Sequence, residues 1–197
     1  MKLVVGNKQK EIDRIPEFNR VEIDLGTGDG RFVYKKALEN PNTLFIGIDP
    51  SQKQLQIYSK KANRKKLDNT LFVIGSIEIL PPELKNCADK LNIILPWGSL
   101  LESIVKPTKN TISKLLGLLK KDGEIEMIFG YDPNFDVKAS IPEINLEYVE
   151  STIIPAFSEM GICTLEIPKD LDTTWSKKLK SSKKRELFKL NIKNIKE

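Results

Sequence analysis

At 197 residues, 40% apolar and 30% charged, the chain has apolar material for one domain with a full core, and too much of it for a disordered protein. It has no histidine and only two cysteines, Cys87 and Cys163, which excludes histidine acid–base chemistry and leaves no expectation of a metal site. The net charge of +5 is unevenly placed: residues 169–197 hold ten Lys/Arg against four Asp/Glu, so the rest of the chain sums to about −1.

No apolar run approaches the roughly 18–20 residues of a membrane helix. The apolar stretch Leu3-Val4-Val5 is too short for a secretory signal. Both cysteines sit in apolar contexts and read as reduced, buried thiols rather than a disulfide. A cytoplasmic protein without membrane contact is expected.

In chain order, residues 2–13 read as a hairpin turning at Gly6-Asn7-Lys8. Residues 20–25 form a core strand that runs into Gly26-Thr-Gly-Asp-Gly30. A helix over 29–40 closes at Asn40-Pro41-Asn42, and a second strand over 43–48 meets Asp49. Asp49-Pro50-Ser51 starts a helix over 51–66, with Leu55 and Tyr58–Ser59 facing in and lysines facing out. Thr70–Ile74 is a third strand, and Leu80–Leu84 a loop with a short helical turn. Lys90–Leu95 is a fourth strand, ended by Pro96-Trp97-Gly98. A helix begins over Leu100–Ile104, breaks at Lys106-Pro107 and resumes over 108–120, where Lys120-Lys-Asp-Gly123 reads as its C-cap. Glu124–Tyr131 is a fifth strand and Asp132–Ser140 a polar loop. Glu143–Met160 is helical, bent or broken at Pro155 and stopped by Gly161. Cys163–Ile167 is a sixth strand, Thr173–Lys184 a basic, partly helical segment, and Glu186–Lys193 a last strand.

Strands alternating with helices predict an α/β sheet of about seven strands, with ligands at the carboxyl ends of the strands where strand order reverses. The turn after the first strand has the spacing G-x-G-x-G with Asp24 upstream, not the G-x-G-x-x-G of a pyrophosphate cradle. Gly26, Gly28 and Gly30 let the main chain approach a ligand closely. Asp49, at the end of the second strand, can accept both hydroxyls of a ribose. Ser76-Ile77-Glu78 follows the third strand, where an acid or amide can read an adenine edge, and Pro96-Trp97-Gly98-Ser99 follows the fourth. Concentrated positive charge on an otherwise neutral body points to a polyanion: Lys53, Lys60, Lys61, Arg64, Lys65 and Lys66 form a block without an acid from residue 51 to 67, beside the basic tail. Trp97 and Trp175, the two tryptophans, stand where they could close on an extruded base.

The glycine loop resembles that of class I (Rossmann-like) S-adenosylmethionine-dependent methyltransferases. That implies a seven-stranded, mostly parallel sheet with flanking helices and a reversed last strand, 1–197 as a single domain, and an N-terminal β-hairpin extension over 1–14. More specifically, Asp24-Leu-Gly-Thr-Gly-Asp-Gly30, Phe45-Ile-Gly-Ile-Asp-Pro50, Leu95-Pro-Trp-Gly-Ser-Leu-Leu-Glu102 and the spacing from Trp175 to Arg185 resemble the 16S rRNA adenine-1408 N1-methyltransferases of kanamycin–apramycin resistance. The resemblance implies that Trp97 and Trp175 are the essential tryptophans that sandwich the target adenine. It places S-adenosylmethionine contacts on Asp24, Gly26, Gly28, Asp49, Ile77, Glu78, Ile94, Pro96, Ser99, Thr173 and Thr174, and contacts to 16S rRNA of the 30S subunit on Lys60, Lys61, Lys65, Lys66, Lys178, Lys183 and Arg185. It also implies a monomer that uses no metal. The tail carries Lys177, Lys178, Lys183 and Lys184 where the family often has arginine, so docking there lacks the planar guanidinium fork. The rival expectations are a methyltransferase on another RNA, such as tRNA guanine-N7, a small-molecule methyltransferase, and a non-catalytic RNA-binding protein of the same fold.

Overall fold

The structure, a computed structural model, describes residues 1–131, 141–168 and 186–195. The strands are β1 (Lys2–Val5), β2 (Lys8–Glu11), β3 (Arg20–Leu25), β4 (Thr43–Asp49), β5 (Thr70–Ile74), β6 (Ala88–Ile94), β7 (Leu119–Phe129), β8 (Gly161–Glu166) and β9 (Phe188–Asn194). Among the described residues they make one sheet in the order β2-β1-β5-β4-β3-β6-β7-β9-β8. Strands β5-β4-β3-β6-β7 pair in parallel, while β9 pairs antiparallel with β7 and with β8. The expected seven-stranded sheet with a reversed last strand is therefore present. The N-terminal hairpin extends it, because β1 pairs antiparallel with β5.

The helices are α1 (Arg31–Glu39), α2 (Gln52–Arg64), α3 (Ser99–Val105) and α4 (Lys109–Leu118), followed by α5 (Leu146–Tyr148) and α6 (Ile154–Ser158). Strands β4 and β5 are apolar on both sides, as a sheet covered on both faces requires, whereas β3, β6 and β7 put their apolar set into the larger core only. Adjacent residues divide between the two faces: Leu3 joins the larger core with β3, β6 and α4, and Val4 joins the smaller core with Val33, Leu55 and Phe72. Ser59 fastens the hairpin to α2, donating to the Val4 carbonyl (2.7 Å) and accepting from the Gly6 amide (2.9 Å).

One part of the sheet surface carries charge instead of apolar side chains. Phe188, Leu190 and Ile192 of β9 are buried, and Lys189 lies between Glu126 of β7 (3.6 Å) and Glu166 of β8 (3.5 Å). Lys90 of β6 also reaches Glu126, at 3.2 Å. Alternation along β9 thus puts the apolar set in the core and a ladder of ion pairs on the other side.

Two local expectations are corrected. The helix α4 stops at Leu118 and β7 starts at once, so Lys120–Gly123 is not a C-cap. The register between β6 and β7 jumps from Ala88↔Leu119 to Lys90↔Glu124, and the extra residues bulge with Asp122 at φ 62. Lys120 there donates to Asp89 (2.8 Å), which also accepts the Val21 amide (2.7 Å). The expected helix Glu143–Met160 begins at Leu146 and contains a π-helical stretch, Val149–Ile153, immediately before Pro155. The wider turn carries the chain past a residue that cannot donate to the helical ladder.

Candidate functional site

Strand order reverses at β3, with β4 on one side and β6 on the other, so the cleft belongs at their carboxyl ends. An open cleft of about 170 Å3 lies there. Leu25, Gly26, Gly28, Ile48, Asp49, Gly75, Ser76, Ile77, Leu95, Trp97, Ser99 and Leu100 are among its walls. The sequence-derived residues Gly26, Gly28, Asp49, Ile77, Trp97 and Ser99 are thus brought together from four separate loops.

The floor is main chain. The amides of Gly26 and Thr27 both donate to the Ile48 carbonyl, at 2.8 and 3.0 Å. Gly26 sits at φ +79, a conformation that favours glycine, and a Cβ there would come 2.7 Å from Leu100 Cδ2 and push that side chain of α3 aside. Gly28 faces open space. Asp49 accepts the Gly28 amide on Oδ2 (2.9 Å) and the Ser51 amide on Oδ1 (2.8 Å). Each carboxylate oxygen keeps a lone pair for a ligand hydroxyl. Burial raises the Asp49 pKa, and the two amides oppose that shift.

Asp24 is 5% exposed and lies beneath the glycine turn, outside the cleft wall. Burial pushes its carboxyl up to about 7, and Asp49 and Asp29 push the same way. The Thr27 hydroxyl eases this cost by its approach to the acid, although it has no hydrogen bond of regular geometry among the described residues. An incompletely solvated acid under a glycine cradle suits a cationic ligand above it. A methyl-donor sulfonium of S-adenosylmethionine, with its ammonium and ribose diol, fits this set of groups: a buried acid, a carboxylate with free lone pairs and a Cβ-free floor.

Glu78 stands at the exposed rim rather than in the wall. Hydrogen bonds from the Ser76 and Ser99 hydroxyls hold its carboxyl below the usual range. Trp97 is 55% exposed on a costly turn. Leu95 adopts φ 50 and donates to the Ile128 carbonyl (2.7 Å), and Gly98 adopts φ 60, ψ −136, a region open to glycine alone. Between them Pro96 is buried and Trp97 is thrown outward over the cleft. Ile94 ends β6 behind this turn, and neither it nor Pro96 lines the cleft. Thr173, Thr174 and Trp175 lie outside the described residues, as do Lys178, Lys183 and Arg185.

On α2 and the turn after it, Lys61, Lys65 and Lys66 are exposed and Lys60 partly so. None has an acidic partner within 4 Å among the described residues. Lys61 instead stands 4.0 Å over the Tyr58 ring. Sequence reasoning missed Leu100 and Gly75 as cleft residues. Leu100 had a signal, since a bare Gly26 implies an apolar neighbour pressed against it; Gly75 had none.

Comparison with known proteins agrees with this geometry. The family model for 16S rRNA (adenine(1408)-N(1))-methyltransferase matches residues 2–193. The Escherichia coli protein of that description is 36% identical over 206 aligned residues, covering 96% of this chain and 94% of its own. The crystal structure of a 30S ribosomal A1408 methyltransferase from an uncultured bacterium is 42% identical, with TM-score 0.79, covering 98% of this chain and all of the other. A variant 16S rRNA (adenine(1408)-N(1))-methyltransferase from Catenulisporales acidiphilia, solved with its cosubstrate S-adenosylmethionine, is 25% identical with TM-score 0.84, covering 99% of this chain and 97% of the other.

Proposed function

The chain belongs to the 16S rRNA (adenine(1408)-N(1))-methyltransferase family, and from that premise we propose how its own residues divide the work. It is an S-adenosylmethionine-dependent enzyme that methylates N1 of adenine 1408 in 16S rRNA of the 30S subunit, the modification that confers aminoglycoside resistance.

S-adenosylmethionine, when bound, supplies an electrophilic methyl group. Gly26 and Gly28 give the main-chain floor, Asp49 takes the ribose hydroxyls, and Ile77 with Glu78 borders the adenine. Asp24, held largely neutral by burial, gives up its proton more readily when a cation is bound above it. Trp97 stacks on the flipped target adenine, with Trp175 as the second face. N1 of adenine carries a free lone pair at neutral pH, so no residue is needed to remove a proton and a histidine-free site suffices. Catalysis then rests on alignment, and the cationic product base gains from the indole faces. Lys60, Lys61, Lys65 and Lys66 meet phosphates and set register on the subunit, as do Lys178, Lys183 and Arg185. The whole chain works as a single domain, as a monomer in the cytoplasm.

The observation that carries this reading is the exposed Trp97 on the same cleft as Gly26, Gly28 and Asp49. It is tested by methyl transfer to purified 30S subunits with primer extension. A stop at adenine 1408 is expected from the wild type, because N1-methylation blocks the Watson–Crick edge; methylation of a guanine N7 gives no such stop. Full activity of a Trp97→Ala variant rejects the stacking role.

A further inference from the structure

The loop after β5 is held from several sides although its tip is solvent-exposed. Ile77 is 4% exposed and anchors it in the core, while Glu78 and Ile79 face out. Ser76 and Ile79 exchange two backbone hydrogen bonds, of 3.2 and 3.0 Å, and the Gly75 amide donates to the Asp49 carbonyl (3.3 Å). The remaining tie comes from a distant element. Lys114, on α4, donates from Nζ to the main-chain carbonyl of Glu78 at 2.9 Å. Its base is fixed: Thr108 caps α4 by accepting the Thr111 amide, and Ile112, Leu115 and Leu118 are buried beside it. Lys114 is not part of the cleft wall. Its charge also contributes to keeping the Glu78 carboxyl ionised, after the two serine hydroxyls.

We propose that Lys114 is a positioning residue for S-adenosylmethionine: bonded to the Glu78 carbonyl, it fixes the height of the Ser76–Ile79 loop so that Ile77 and Glu78 stand ready against the cofactor's adenine. This rests on the cleft being the cofactor site. A pre-set wall spares the ligand the cost of ordering the loop, so the effect falls on affinity and not on the chemical step. The anchor Ile77 and the Ser76–Ile79 bonds survive without Lys114, so the fold does not depend on it.

The test uses the full chain with 30S subunits. Lys114→Met should weaken S-adenosylmethionine binding, by calorimetry and as KM, by about three- to tenfold, the net worth of an ordinary hydrogen bond, because solvent at this partly exposed site offsets the donor's charge. The kcat at saturating cofactor, the KM for 30S subunits and the melting temperature should stay at wild-type values. Lys114→Arg, which keeps a donor over the carbonyl, should recover most of the affinity. Lys109→Met removes the same charge from an exposed position on α4 and should behave as wild type. Affinity within twofold of wild type in Lys114→Met, an equal loss in Lys109→Met, or a loss that arginine does not recover would overturn the proposal. Asp49→Ala separates the two levels: wild-type cofactor affinity in that variant overturns the assignment of the cleft itself, whatever Lys114 does.

Discussion

Asp24→Asn should change the pH dependence of stability in a way the buried acid dictates. In the native state its carboxyl titrates at about 7, against 3.8 for the ordinary group. Between those values the unfolded chain releases the proton while the folded chain retains it. Stability owed to this group is therefore whole below pH 4 and is lost as pH rises toward 7. Roughly three units at 1.36 kcal/mol each make this about 4 kcal/mol. For a protein of this size that corresponds to a melting-temperature difference of about 10 °C. Asparagine fills similar space and does not ionise. Melting curves of wild type and variant without cofactor, from pH 4.5 to 8.5, should give a stability difference that moves in favour of the variant up to pH 7 and is level above it. All other titrating groups are shared, so the difference isolates Asp24. Saturating S-adenosylmethionine should shrink it at pH 8, because a cation in the cleft favours the ionised acid. A stability difference that stays flat across the range would refute the claim that this carboxyl is held neutral by burial.

Trp97→Ala should reduce methyl transfer to 30S subunits at least a hundredfold, from the loss of stacking worth about 1–3 kcal/mol compounded by misalignment; calorimetry should find cofactor affinity little changed. Gly98→Ala should cost about 1–3 kcal/mol of stability, or else displace Trp97, which a drop in kcat with retained cofactor binding would register. A paired Lys61→Glu and Lys65→Glu variant should bind 30S subunits more weakly and with a shallower salt dependence, roughly one unit of slope for each phosphate no longer neutralised, while cofactor binding is unchanged. Cys87, whose thiol burial pushes up to about 11, should resist alkylation at pH 7.5 in the folded protein and react on unfolding.

The sheet is legible in the sequence because its strands are short apolar runs bounded by turn residues. Each parallel strand from β3 to β7 overlaps its sequence-derived position, and Asp49 and the glycine turn lie where the βαβ pattern puts them. The two local failures have one cause. Lys120-Lys-Asp-Gly123 has the composition of a helix cap, but pairing with β6 continues through it as a bulge, and only the partner strand's register reveals that. Pro155 alone predicts a bend or break; whether a helix breaks or widens depends on the packing of Val149, Ile153 and Phe157, all buried. In the site, Trp97 is readable from Pro-Trp-Gly, since a glycine after a large aromatic implies an unusual turn. The depth of Asp24 is not readable, because a carboxylate in a motif looks the same whether it faces the ligand or the interior. Lys114 is invisible for a stronger reason: a lysine bonded to a main-chain carbonyl thirty-six positions away leaves no pattern in local sequence.

The missing histidine and the strained turn belong to one account. Proton transfer needs a titrating group placed near the reacting atom, and a substrate nitrogen with a free lone pair removes that need. What remains is to hold two reactants in line, and the cost of doing so appears in the backbone. Leu95 occupies a left-handed conformation without being glycine, Gly98 a region closed to other residues, and both flank Trp97, the one exposed aromatic ring on the cleft among the described residues. Such conformations persist only where the surroundings enforce them. Here the Leu95 amide is tied to β7 and Pro96 is packed inside, so relaxing the turn would break a strand contact and expose a buried ring. On the proposed mechanism, that rigidity keeps Trp97 poised before any RNA arrives and lets alignment do the work in a histidine-free chain.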